Sequence, residues 1–136
     1  MLERIAVDQV RRIAELARAA RDARDQMLAQ VGDPELGEPR VARGLHDPAA
    51  DFGLDPLPPD HPARVALHEA ITALSRDAQD ELRALVLVGR GDLGGNEWQR
   101  ALTEAAGAHG APVEFLTSQA SLHEHLEKGL YELRLA

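Results

Sequence analysis

The chain has 136 residues, no cysteine, and 23 acidic against 15 basic side chains, for a formal net charge of −8. The missing cysteine excludes disulfides, thiol catalysis and thiolate metal sites, and the acidic balance opposes non-specific binding to phosphate backbones or anionic membranes. The length suits one domain, residues 1–136, and with only Phe52, Trp98, Phe115 and Tyr131 aromatic its core must be Leu, Ile, Val and Ala.

The opening MLERIAVDQVRRIAELARAA carries charges throughout and lacks the continuous apolar segment of a secretory signal. No apolar run approaches the roughly 18 residues of a membrane span. A cytoplasmic protein is therefore expected.

Residues 8–28 read as a long amphipathic helix with Asp8 as N-cap. Val10, Ile13, Ala17, Ala20 and Met27 recur at helical spacing, while Arg11, Arg12, Arg18, Arg21 and Arg24 fall to the charged face. Glu15, Asp22 and Asp25 are interleaved with those arginines, which reads as a salt-bridged, solvated face rather than a phosphate-binding stripe. The small residues opposite would also let a second copy approach closely.

Residues 30–60 differ in composition. Seven of the eight prolines lie between Pro34 and Pro62, and residues 31–60 hold seven acids against two arginines. Proline fixes φ, removes a donor and disfavours helix at its predecessor, so an irregular acidic loop is expected, with one short turn near Val41–Leu45.

Asp60-His61-Pro62 then offers helix-start chemistry, and Leu67, Ile71 and Leu74 mark the buried face of a second helix. Ser75 caps a third, with Asp77, Asp80 and Glu81 in its first turns. Its end, Leu85-Val86-Leu87-Val88, is apolar all round and predicts a central, buried helix. A fourth helix opens at Asn96-Glu97-Trp98-Gln99, with Asn96 as N-cap and Trp98 at its junction with the third. Val113–Ser118 is a short apolar connector. The last helix spans about Ala120 to Leu133, with Leu122, Leu126, Leu130 and Leu133 as its seam and Ser121 and Glu124 as a capping pair.

Gly89-Arg90-Gly91-Asp92-Leu93-Gly94 matches G-x-G-x-x-G, the fingerprint of a dinucleotide-binding βαβ unit. Leu85–Val88 would be the strand, Glu97–His109 the crossover helix, Val113–Leu116 the second strand and Glu114 the ribose-binding acid. Four features oppose this. SRDAQDELRAL runs into LVLV without a turn, too few strands are available, Asp92 would repel a pyrophosphate, and the next helix starts beyond the third glycine. In the helical alternative Gly89 takes the left-handed conformation that ends the third helix, and the remaining glycines turn the corner.

Asp77-x-Gln79-x-Glu81-Leu82, then Leu87-Val88-Gly89-Arg90-Gly91-Asp92, then Glu97-Trp98, resembles the uncharacterised bacterial family DUF3775, whose members show an "LGRGD…EW" core and a Leu-rich tail ending "EEGL". Here that tail is Leu126-Glu127-Lys128-Gly129-Leu130, Val88 stands for the family's Leu, and Gln119-Ala120 replaces its usual "TP". The likeness covers residues 62–133 well and implies an all-α fold. It assigns no activity.

His123 and Glu127 stand at i,i+4, but His125 points elsewhere and no H-E-x-x-H grouping exists, so no metal site is expected. His68 is read as a packed or half-exposed residue. Asp92, Asn96 and Glu97 lack the spacing of a calcium loop, and no nucleophile elbow is present. No catalytic residue and no cofactor is assigned. Gly89, Arg90, Gly91, Asp92, Asn96 and Trp98 form the candidate polar site or structural motif.

The expected protein is all-α, with about five helices and a long acidic loop after the first. Its expected function is that of a non-catalytic interaction module whose partner is another protein or a second copy of itself. The alternative is a small-molecule or nucleotide-binding protein, an enzyme included, working at Gly89–Asp92.

Overall fold

The computed structural model describes residues 2–31 and 57–135, so the acidic loop and its turn at 41–45 lie outside the described residues, apart from the loop's two ends. All regular structure among them is helical: α1 (Val7–Val31), α2 (Pro62–Thr72), α3 (Arg76–Gly89), a 3-10 turn (Gly95–Glu97), α4 (Trp98–Gly107), α5 (Pro112–Thr117) and α6 (Leu122–Glu132). The expected connector at 113–118 is itself a helix, opened by Pro112, whose ring presets the helical φ at a position where no N–H is needed. Leu85–Val88 lies inside α3, and no strand occurs among the described residues.

Helix α3 is the hub, packing on α4, α5 and α6, while α1 lies against α2 and α6. One contiguous set of buried side chains runs from Ile5 through Leu57, Leu67, Leu82 and Trp98 to Leu133. As expected, α3 is a buried helix, with Leu82, Ala84, Leu85 and Val86 fully buried. The alanines of α1 that could have received a second copy, Ala17 and Ala20, are buried within the chain. Arg24 belongs to that same stripe, four residues after Ala20. It is buried, not on the solvated face, and its guanidinium lies 3.0 Å from the Asp25 carboxylate.

Two polar side chains of α3 fasten neighbouring segments to it. Glu81 is buried, and its carboxylate accepts the backbone N–H groups of Glu3 (2.9 Å), Arg4 (2.8 Å) and Ile5 (3.0 Å), which ties the approach to α1 onto α3. Gln79 donates its amide to the carbonyl oxygens of Ile71 (2.9 Å) and Leu74 (3.2 Å) where α2 ends. A buried carboxylate is tolerable when its lone pairs are met in this way.

Helices α3 and α6 approach through their backbones. A methyl group at Gly89 would overlap the His125 carbonyl oxygen, and one at Gly129 would stand 2.6 Å from the Leu85 carbonyl oxygen. Each helix thus contributes one glycine to the crossing. A methyl group at Gly95 would likewise collide with the Glu132 carbonyl, so the 3-10 turn is pressed onto the end of α6.

Local capping departs from expectation at several helix starts. At α1 it is Gln9, not Asp8, that reaches back, its Oε1 accepting from the Ala6 N–H at 2.9 Å. At α2 the cap is His61 and not Asp60, because the His61 Nδ1 accepts from the Ala63 N–H at 3.1 Å. Ser75 caps α3 as expected, through Ala78 N–H at 3.1 Å. Ser121 stands at the N-cap of α6 without capping it, since its hydroxyl accepts from Arg21, which also donates to the Ala120 carbonyl and so clamps α1 to the entry of α6.

Gly89→Ala should destabilise the protein by about 3 kcal/mol, the upper end of the range for overpacking. Gly107→Ala, with open space around the added methyl group and no positive φ, should instead gain about 0.5 kcal/mol. Urea midpoints at unchanged slope measure both; a wild-type midpoint for Gly89→Ala contradicts the backbone crossing.

Candidate functional site

The glycine corner closes α3 by a Schellman motif. The Gly91 N–H donates to the Val88 carbonyl and the Asp92 N–H to the Leu87 carbonyl, both at 3.0 Å. The left-handed residue is Gly91, at φ +87°, and not Gly89, which stays helical inside the crossing. The helix runs one residue further than expected because Gly89 is needed where α6 passes.

Of the six candidate residues, the fold brings Arg90 and Asp92 together. Both are exposed, and their charged groups are 3.5 Å apart, a geometry worth about 0–1 kcal/mol at a surface. Gly91 makes this possible by reversing the chain between them. Asn96 is exposed and caps nothing. The turn starts at Gly94 instead, where the Glu97 carboxylate accepts the Gly94 N–H at 2.8 Å, the part expected of Gln99 one turn later. Asn96 stands one position inside the turn, where its side chain cannot reach back to a free N–H as a capping residue does.

Trp98 is in the core, 5% exposed, where α4 meets α3, as its place in the sequence implied. Its indole N–H is buried with no acceptor among the described residues.

This geometry bears on phosphate recognition. The fingerprint glycine loop works by presenting free N–H groups at a helix N-terminus. Here the Gly94 N–H is taken by Glu97, a three-residue 3-10 turn follows instead of a long helix, and α3 presents its negative carbonyl end to the corner.

A residue that the sequence placed outside any site joins the corner. His125, on α6, is half-buried beside Gly89, and burial, then the Arg90 guanidinium, hold its imidazole below the ordinary value of 6.5. The Glu124 and Asp92 carboxylates act in the opposite sense, and His123 adds to the lowering. The only available signal in the sequence was the helical spacing of α6, which sets His125 one residue before the buried Leu126. His123 has a buried Nδ1 without a partner among the described residues, and its Nε2 is 3.6 Å from Glu124. No group of three His, Asp or Glu side chains among the described residues is placed to hold a metal ion.

The arrangement is that of a helical scaffold with one charged corner, and no described helix is long and apolar enough to cross a membrane. Residues 64–135 match the family model "Protein of unknown function (DUF3775)", and the chain belongs to that family. No curated protein and no solved structure matches it.

Glu97→Ala should lose about 1 kcal/mol, whereas Asn96→Ala should leave the denaturation midpoint unchanged. The reverse ranking would restore Asn96 as the cap. For His125 the folded-state value is depressed, so its stabilising contribution is complete above pH 6.5 and is lost as pH falls through the lower folded value. Arg90→Gln should raise the His125 value towards 6.5 and Asp92→Asn should lower it further. Imidazole proton shifts followed by NMR report both, and a curve indifferent to both changes dissolves the cluster.

Proposed function

We propose that this protein is a non-catalytic interaction module of the bacterial cytoplasm, built as one helical domain that binds another protein chain. The observation that carries the reading is how the family signature is employed. Gln79 and Glu81 fasten α2 and the approach to α1, Gly89 and Gly129 form the α3–α6 crossing, Gly91 closes α3, Glu97 caps the turn and Trp98 fills the core. A signature that encodes architecture suits a scaffold whose contacts are made by its outer face. On that face Tyr131 is the one large hydrophobic residue exposed among those described, at 71%. Tyrosine is enriched at protein interfaces because an apolar ring and a polar tip share one side chain.

A second reading, a small-molecule site at the corner, is favoured by His125, since a displaced titration beside an Arg–Asp pair is common at functional sites. The two readings part on measurement. A photo-cross-linking residue at position 131, introduced in the native host, should give a discrete protein adduct that the same residue at position 92 does not. NAD, ATP, Mg2+ and Zn2+ should leave the melting temperature unchanged. A ligand-dependent rise that Asp92→Ala abolishes would reverse the order.

A further inference from the structure

We infer that residues 2–5 form a strap that Glu81 latches onto α3, and that this strap opens as one piece while the helices stay folded. Three consecutive backbone N–H groups of the segment converge on one side chain. That of Glu3 meets one carboxylate oxygen of Glu81 at 2.9 Å, and those of Arg4 and Ile5 meet the other at 2.8 and 3.0 Å. Successive N–H groups aimed at one point make an anion-binding nest. Here the anion belongs to the same chain, 76 to 78 residues further on.

The strap has a sharp boundary. The next N–H, that of Ala6, is accepted by the Gln9 side chain at 2.9 Å and so belongs to the start of α1. Helix α1 itself packs chiefly on α2 and α6, whereas the strap is held by α3. Segments with little buried apolar surface open locally, at a lower cost than unfolding the domain. Of these four residues Ile5 alone is buried; Leu2 is half-buried, and Glu3 and Arg4 are exposed. Because one carboxylate serves all three N–H groups, withdrawing the strap from Glu81 breaks the three bonds together. Closure is favoured in return, since a carboxylate left in the core without its donors is costly. The element therefore has two arrangements, latched and free, and the free one uncovers Glu81 together with the seat of Ile5.

Native-state amide exchange followed by NMR in sub-denaturing urea tests this. The amides of Glu3, Arg4 and Ile5 should share one protection, at least about tenfold above an unstructured chain and at least about tenfold below Leu85 and Val86 in α3. Urea should lower the protection of Leu85 and Val86 steeply and that of the strap hardly at all, because opening the strap exposes little surface. Glu81→Gln sets an NH2 group against a donor, so protection at all three positions should fall about tenfold or more while helical content by circular dichroism stays as in wild type. Ile5→Ala leaves the Glu81 bonds in place and should still lower protection at Glu3 and Arg4, because the strap moves whole. Should Glu81→Gln not fold, Ile5→Ala decides alone: a loss shared by the three amides supports the strap, and a loss confined to position 5 overturns it. Unprotected amides in wild type, a urea dependence equal to that of α3, or a folded Glu81→Gln with unchanged protection overturns it too.

Discussion

The close passage of α3 and α6 is the constraint on which the rest of the molecule depends. Two helices ordinarily pack 8–10 Å apart because side chains keep their backbones separate. Here Gly89 and Gly129 remove that spacing, one from each helix, and each faces a carbonyl of the other. The passage fixes where α3 must still be helical, at Gly89, and therefore where it can end. The left-handed residue is displaced to Gly91, and the displacement sets Arg90 and Asp92 on either side of the turn. The same passage brings His125 to the corner and seats the 3-10 turn on the end of α6.

Buried polar groups then join the peripheral helices to this pair. Glu81 and Gln79 engage only backbone groups, of residues 3–5 and of the end of α2. Backbone partners make such bonds indifferent to the side chains of the segments they hold. That fits a matched region, 64–135, that contains both polar residues but not residues 3–5. A carboxylate or amide inside the core costs little while every lone pair or proton is met, and costs heavily once a partner leaves. The joints are therefore specific as well as stabilising.

The outward surfaces have a different physical character. The corner is charged and half-solvated, and its Arg90–Asp92 pair contributes little to folding. The outer face of α6 carries charged side chains and the exposed aromatic ring of Tyr131. Binding energy at protein interfaces concentrates on a few such anchors within a polar surround, which is why the face and not the corner carries the proposed association.

Much of the architecture was legible in the chain, because helical periodicity and proline and glycine punctuation are local properties. The start of α3, its burial, the Ser75 cap and the place of Trp98 all follow from spacing. Arg24 and Glu81 were legible in principle, since both stand on apolar stripes at i+4 and i+3 from buried residues, but their charge obscured their position. The Asn96, Asp8 and Asp60 caps were not, because several neighbouring residues could make each bond and only geometry chooses among Gln9, His61 and Glu97. The role of Gly89 was equally hidden: a glycine reads the same whether it is needed for a positive φ or for a helix passing close by. Sequence by itself determined that the chain is helical and where its apolar faces lie, because those depend on neighbours three and four residues away. Tertiary structure alone decided which glycine turns and which one packs, and which backbone groups Glu81 meets, because those depend on residues 36 to 78 positions apart.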